Sequence, residues 1–480
     1  MKPRPPVVAI LGHVDHGKTT LLDYIRKSNL TEKEVGGITQ KIGAYEIDTK
    51  IKGYPTSKIT FIDTPGHEAF AKLRARGANI ADIALLLIDG KDGIMAQTIE
   101  SIYHIKNAKI PYIVVINKID LPETQPEKIK NELIKYDVLI EEKGGKIPCV
   151  LISAKTGQGV SDLLETILLL SSDKNLTFDE KAQPEVYLIE TKKEKVGILV
   201  SAIIKNGHLK VGDIFFEVNK PKKIRAMFND LGKPIKEVFP STPFAFLGYE
   251  NIPEVGTLLP LNPQPYQKEE KEFSKKTIDR LSLLYPKEEK KLFLILKADS
   301  YGSLEAISNA LSKIENCEVV LKGVGDINRS DIFLAKTVKG IVIGFSVNIA
   351  QDAFILAKQE KVIIKTYQII YELLEELKEV SLLIKEKEQK EKNAKGEAKI
   401  LATFIIEGEK VYGVKVTKGK INLGDPIEVY RDEKLIGKTK LVSLKIRAKK
   451  VLEVKKDQEA GMIFSPPLDI TIGDMVKSIL

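Results

Sequence analysis

The sequence predicts a multidomain α/β plus β protein: a P-loop nucleotide-binding domain, a β-barrel, an α/β sandwich domain and a C-terminal β-barrel. Three observations predict it. At 480 residues the chain is long enough for roughly three to five domains of ordinary size. Its apolar pattern changes along the chain, from strands alternating with helical stretches to strands broken only by turns, and then repeats that change. A G-x-x-x-x-G-K-[ST] run follows the first apolar segment, where a strand must turn into a helix. A composition of 43% hydrophobic and 29% charged residues excludes disordered and collagen-like chains.

In residues 1–175 the strands are predicted at Val7–Leu11, Ile59–Ile62, Ile83–Ile88, Tyr112–Ile116 and Cys149–Ile152, separated by helical patterns. That alternation makes a parallel sheet covered by helices. Residues 176–265 lose the helices and gain turn signals at Asn206-Gly207, Gly212-Asp213 and Leu231-Gly232, which predicts a small antiparallel barrel. Residues 266–380 are a charged linker helix, Gln267 to about Lys290, followed by a second α/β domain with strands Leu292–Leu296, Val319–Leu321, Ile341–Ile343 and Val362–Ile364. The lysine- and glutamate-rich run Lys385–Lys392 predicts a helical spacer over 381–395. Residues 396–480 resume the barrel pattern with strands Ala402–Ile406, Val411–Val416 and Pro426–Tyr430, and Gly419–Asp425 echoes Gly207–Asp213. The echo suggests two copies of one barrel type, although hairpins also reuse Gly and Asp.

Two cysteines, Cys149 and Cys317, make no disulfide framework and no zinc spacing. No stretch approaches the roughly 18 apolar residues of a membrane helix, and Val7–Leu11 is too short for a signal peptide. A cytoplasmic protein with no membrane partner is expected. The net charge of +9 permits a polyanionic partner without requiring one.

The richest chemistry lies at the ends of the first domain's strands. Gly12, His13, Val14, Asp15, His16, Gly17, Lys18, Thr19 and Thr20 form the phosphate loop and the start of its helix. Glycines let backbone N–H groups face phosphate, Lys18 adds a cation, and Thr19 offers a hydroxyl to Mg²⁺. Asp63-Thr64-Pro65-Gly66 supplies a carboxylate for the metal and a glycine N–H for the γ phosphate. Asn117, Lys118 and Asp120 end another strand, and the Asp120 carboxylate matches the N1–H and exocyclic amine of guanine. Ser153, Ala154 and Lys155 complete the base pocket. The ordered set predicts binding of GTP or GDP with Mg²⁺, held by Thr19, Thr39 and Asp63. His67, beside Gly66, is placed to orient the attacking water. His13 and His16 are expected to turn their rings to solvent, and His104 and His208 to be structural; Arg74 and Arg76 fit either a charge-stabilising or a helix-surface role.

These motifs resemble those of translational GTPases, and within them bacterial translation initiation factor 2. The resemblance rests on GHVDHGKT at 12–19, GGITQ at 36–40, DTPGH at 63–67 with Arg74–Ala78, and on Gly207–Asp213, Ile224–Met227, Leu296–Asp299, Gly302–Ile307 and Gly424-Asp425. It implies a P-loop GTPase, acting as a monomer, that places initiator tRNA, formyl-methionyl in form, on the small ribosomal subunit, promotes joining of the large subunit and hydrolyses GTP on the ribosome. It assigns the water-positioning role to His67 and the acylated tRNA end to the last barrel, where Lys445, Arg447, Lys449, Lys450, Gly461 and Phe464 are the candidate contacts. The chain begins almost at the GTPase domain, which is similar to a short form without the family's N-terminal extension. Many members carry Glu-Cys-Gly where this one has Glu459-Ala460-Gly461, so recognition of the formyl group is open. Delivery of a different aminoacyl-tRNA and a role in ribosome assembly remain as alternatives.

Overall fold

The computed structural model describes residues 1–27, 39–40, 42–263, 291–392, 394–406, 408–432, 434–447 and 449–479, without the side chains of 387–394. The expected linker helix from Gln267 to Lys290, and Gly36–Ile38 of the GGITQ motif, lie outside the described residues. The chain divides into two compact units, Met1–Tyr285 with Leu292–Leu377, and a second containing Lys378–Leu480.

The first unit opens with a six-stranded sheet. Its strands are β1 (Val7–Gly12), β2 (Gly43–Asp48), β3 (Lys58–Asp63), β4 (Ile83–Asp89), β5 (Tyr112–Asn117) and β6 (Cys149–Leu151), in the order β2-β3-β1-β4-β5-β6. Only β2 runs antiparallel. Strands β1 and β4 are buried along their whole length, because helices cover both faces of a parallel sheet and leave no solvent side to select polar residues. Those helices are α1 (Lys18–Arg26), α2 (Ala71–Ile80), α3 (Ala96–Ala108), α4 (Pro126–Leu133) and α5 (Val160–Asp173).

The region expected as the first barrel follows as a five-stranded antiparallel sheet, with β7 (Glu185–Glu194), β8 (Gly197–Asn206), β9 (Ala226–Asn229), β10 (Pro234–Ile235) and β11 (Pro243–Leu247) ordered β10-β9-β11-β8-β7. It is tied to the first sheet through Asp82. That carboxylate accepts from Arg4 at 2.6 and 2.8 Å, from Lys205 at 2.9 Å and from the Val7 amide at 2.9 Å. Burial alone would raise the Asp82 pKa, but the Arg4 hydrogen bond and the Lys205 charge outweigh it and hold the carboxyl below its ordinary value.

A second α/β layer completes this unit. Parallel strands β12 (Leu292–Ala298), β13 (Cys317–Val324), β14 (Ile341–Phe345) and β15 (Ile364–Tyr367) are ordered β13-β12-β14-β15, and the helices are α6 (Tyr301–Leu311), α7 (Arg329–Val338), α8 (Gln351–Glu360) and α9 (Ile370–Lys392). The last strand therefore sits later than the expected Val362–Ile364. Residues Val362 and Ile363 instead follow the C-terminal turn of α8, where the Val362 amide bonds Ala357 O. The helix expected as a spacer over 381–395 already begins at Ile370, since Ile370, Leu373, Leu374 and Leu377 bury one apolar face. They share a core with Phe70 and Leu73 of the first domain, Ile189 of the barrel, and Leu294 and Phe345 of this sheet.

In the second unit six strands close on themselves: β16 (Ala394–Ile406), β17 (Glu409–Asn422), β18 (Pro426–Arg431), β19 (Lys434–Ile446), β20 (Glu459–Ser465) and β21 (Met475–Ile479), in the cyclic order β16-β21-β18-β19-β20-β17. The hairpin β16–β17 is far longer than the two short runs expected from the sequence. Its outer positions carry Lys and Glu, which mask the alternation.

The echo between the barrels is structural. Asp213 accepts the Lys210 amide at 2.7 Å and Asp425 accepts the Asn422 amide at 2.9 Å. Beside each, the glycine N–H and the aspartate carbonyl clasp one facing residue, Ile224 in the first barrel and Leu441 in the second.

Candidate functional site

The expected nucleotide residues come from four separate strand ends, and the fold brings them to one edge of the first sheet. Strand β1 ends at Gly12, and the loop to α1 turns back on Gly17, which has φ 93° and leaves no room for a Cβ: one would lie 2.3 Å from the Asn117 amide nitrogen. Asn117 is the hub of this edge. Its Nδ2 donates to His16 O at 2.8 Å and its Oδ1 accepts from the Ala154 amide at 2.9 Å, so one side chain ties the phosphate loop to both base-recognition segments. Lys118 pairs with Asp89 at 2.6 Å, while Asp120 and Lys155 are exposed beside it. Ser153 is buried and accepts the Thr156 amide.

At the phosphate end, Lys18 is buried and donates to Gly12 O at 3.1 Å and His13 O at 2.5 Å. Burial pulls its pKa down to about 8, against the opposing charge of Asp63. The Thr19 and Thr39 hydroxyls are 2.5 Å apart, and Thr39 Oγ1 donates to Asp63 Oδ2 at 3.4 Å. Two hydroxyls and a carboxylate are hard oxygen donors of the kind Mg²⁺ takes, so the donor set fits that ion. A cavity of about 280 Å³ joins these groups, lined by Lys18, Thr19, Thr20, Thr39, Gly66, His67 and Lys118, with Val14 and Asp15 at its rim.

His67 caps the short helix after Gly66: its Nδ1 accepts the Ala69 amide at 2.9 Å. An acceptor Nδ1 places the ring proton on Nε2. The loop carrying it is held from below by Arg74, which is fully buried. The guanidinium donates to the carbonyls of Pro65 (3.0 Å), Gly66 (3.0 Å) and His67 (2.6 Å), and grips both oxygens of Glu100 at 2.8 and 2.7 Å. Arg74 is thus a loop-holding residue, and its place on α2 leaves no surface for it. Arg76 pairs with Glu305 of α6 at 3.1 Å and joins the two α/β layers.

Two expectations about side chains change. The His16 ring is fully buried rather than solvent-facing, its Nδ1 lying 3.3 Å from Leu87 O and 3.2 Å from the Asp89 amide. Burial lowers its pKa to about 4. Phe464 lies inside the last barrel, where it packs against Tyr412 with ring centroids 5.5 Å apart. Alternation along β20 turns Ala460, Met462 and Phe464 inward together. Lys445, Arg447, Lys449 and Lys450 are exposed at one hairpin tip, with Lys445 opposite Lys450, and Gly461 pairs with Lys445 at its base. His104 meets Glu100 at 3.1 Å, and His208 stacks on Phe239.

Other contacts had no local signal in the sequence. Gln97 of α3 accepts the Val14 amide at 3.0 Å. Gln40 reaches the loop before α9, and Tyr371 of α9 lines the nucleotide cavity.

Residues 4–172 match the model for the Elongation factor Tu GTP binding domain, residues 183–260 that for Elongation factor G domain 2, and residues 267–378 that for Translation-initiation factor 2. The chain is 42% identical over 496 residues to translation initiation factor IF-2 of Thermotoga sp. (strain RQ2), covering 99% of this chain and 71% of that one. It is 41% identical over 497 residues to the factor of the same name from Aquifex aeolicus (strain VF5), covering 99% and 61%. A crystal structure of GDP-bound aIF5B from Aeropyrum pernix aligns over 99% of this chain and 92% of its own at 25% identity, with a TM-score of 0.48.

Proposed function

Because the chain belongs to the translation initiation factor IF-2 family and is a translation initiation GTPase, we propose that it uses GTP and Mg²⁺ to place formyl-methionyl initiator tRNA on the small ribosomal subunit, promotes joining of the large subunit and then hydrolyses the nucleotide. The observation that carries the nucleotide half is the convergence of Lys18, Thr19, Thr39, Gly66 and His67 on one cavity, with Asp63 joined to it through the Thr39 hydroxyl. Thr19, Thr39 and Asp63 would hold Mg²⁺, which when bound neutralises charge on the β and γ phosphates.

Lys18 releases its two carbonyl partners to meet phosphate, and the backbone N–H groups of residues 15–19, in the loop and first turn of α1, receive the rest of the charge. Asp120 accepts from the guanine edge, while Asn117 fixes the phosphate loop relative to that base pocket. His67, carrying its proton on Nε2, orients water toward the γ phosphorus. Arg74 holds the loop so that the imidazole stays in place. Contacts to the γ phosphate order the segments around Thr39 and Gly66, and hydrolysis removes them.

The tRNA half rests on family membership and on the exposed basic tip around Lys445, Arg447, Lys449 and Lys450. Phosphate contacts there would make binding fall steeply with salt. The test is protection of the aminoacyl ester by the full chain, comparing formyl-methionyl, methionyl and elongator aminoacyl-tRNA. Selective protection of the formylated species is expected; equal protection of all three would favour delivery of another tRNA, and none would favour an assembly role.

A further inference from the structure

The first turn of α9 reaches the nucleotide cavity through two contacts, one to Gln40 and one to His67. Gln40 follows Thr39 directly, and its side chain is buried. Its Nε2 donates to Gln368 O at 2.9 Å, and its Oε1 accepts the Ile370 amide at 3.1 Å. Ile370 is the first residue of the helix, where backbone N–H groups have no partner within the helix; Gln40 supplies one from a distant part of the chain. One residue further on, the Tyr371 ring meets the His67 imidazole edge-to-face, with centroids 4.3 Å apart and planes at 78°. Tyr371 also lines the cavity beside Thr39, Gln40, Gly66 and His67.

The imidazole also meets the Phe70 ring edge-to-face with centroids 6.1 Å apart, and two closer contacts bear on its orientation. Its Nδ1 is engaged by the Ala69 amide, which sets the tautomer, and its ring is engaged by Tyr371, which sets the rotation about the side chain. Neither contact needs the ribosome. Gln40 fixes the helix turn that presents Tyr371, and the neighbouring Thr39 hydroxyl sits against Thr19 and Asp63, so the metal-side segment and the imidazole are registered to the same turn.

We propose that Tyr371 is a positioning residue for GTP hydrolysis, acting through His67, and that Gln40 holds the helix turn that carries it. The proposal rests on His67 orienting the attacking water. A misplaced catalytic group costs on the order of 100-fold per ångström, so loss of the ring contact should act on kcat and leave nucleotide binding alone.

The experiment uses the full chain with assembled ribosomes, measuring kcat and KM for GTP together with the Kd of a non-hydrolysable GTP analogue. Tyr371→Ala is expected to lower kcat by roughly 10-fold or more with KM and Kd within about 2-fold, and Tyr371→Phe, which keeps the ring, to stay within about 3-fold of the parent. Gln40→Ala should lower kcat in the same sense. In a His67→Ala background, Tyr371→Ala should have no further effect. With only five histidines in the chain, the His67 imidazole signal is assignable by NMR, and should move in Tyr371→Ala but not in Tyr371→Phe.

Parent-like or increased kcat in Tyr371→Ala would overturn the proposal, as would equal impairment of Tyr371→Phe or an undiminished effect in the His67→Ala background. If His67→Ala alone leaves kcat unchanged, the role of His67 fails, and that failure is read separately from the effect of Tyr371.

Discussion

Arg74→Ala removes the support under the loop that presents His67, and its cost can be worked from the contacts. Five contacts disappear at once: three to the carbonyls of Pro65, Gly66 and His67, shared by the two protons of one guanidinium nitrogen, and two to Glu100 from the other. Breaking a buried ion pair by deleting one partner costs about 3–5 kcal/mol. Glu100 is one-quarter exposed, so water recovers much of its loss and the pair counts for about 1–2 kcal/mol, while the three carbonyls, sharing those two protons, add about 2–3 kcal/mol together. The sum stays at about 3–5 kcal/mol. Arg74→Lys keeps the charge but not the planar fork, and should cost about 1–3 kcal/mol. With a urea slope of about 2–3 kcal/mol per molar, the Ala variant should unfold at about 1–2.5 M lower urea in the transition of the nucleotide-binding domain. Followed by tyrosine fluorescence and GDP release, a midpoint within about 0.3 M of the parent would refute the load assigned to Arg74.

Three further outcomes follow from named groups. His16 titrates near 4 when folded against an ordinary 6.5, so its contribution is complete above pH 6.5 and falls as pH drops toward 4, by about 3 kcal/mol at about 1.4 kcal/mol per pH unit; His16→Asn should flatten that slope in pH-dependent urea unfolding, and an unchanged slope would contradict its burial. Asp82 has the opposite character: its folded pKa lies below the ordinary 3.8, so its stabilisation is present above that value and lost as pH falls through the folded one. Asp82→Asn, leaving Arg4 and Lys205 without their carboxylate, should lower stability by about 3–5 kcal/mol, measured by thermal melting at neutral pH against the parent. Asp120→Asn should weaken GDP by roughly 100-fold or more through two lost charge-assisted hydrogen bonds while tightening xanthosine diphosphate, whose edge offers an acceptor to the new amide; calorimetry with both nucleotides reads the exchange.

The parts legible in the sequence are those where local backbone chemistry and function coincide. Gly12–Thr19 must curl around phosphate, so its glycines and its place between a buried strand and a helix are visible together. Asn117 and Asp63 fall at strand ends for the same reason, and the two barrels show through the repeated Gly-Asp turn. The parts that stayed hidden depend on distant chain. Arg74 looks like any helical arginine until the fold brings Glu100 and the loop carbonyls around it. His16 looked exposed because its neighbours bind phosphate, yet β4 covers its ring. Phe464 is suitable as a ligand contact or as core, and only the register of β20 places it inside. The Gln40 and Tyr371 contacts join positions more than 300 residues apart, a separation that no window of sequence spans.

We propose that hydrolysis is centred on His67 and is switched on when the ribosome assembles. The most direct test is single-turnover GTP hydrolysis by the full chain and by His67→Ala, each mixed with small subunits and initiator tRNA and then with large subunits, alongside GTP affinity for both proteins. A burst of phosphate release is expected from the parent on large-subunit addition, no burst from His67→Ala, and GTP affinities within about 2-fold of each other. An equal burst from His67→Ala, or no acceleration of the parent when the subunits join, would contradict the proposal.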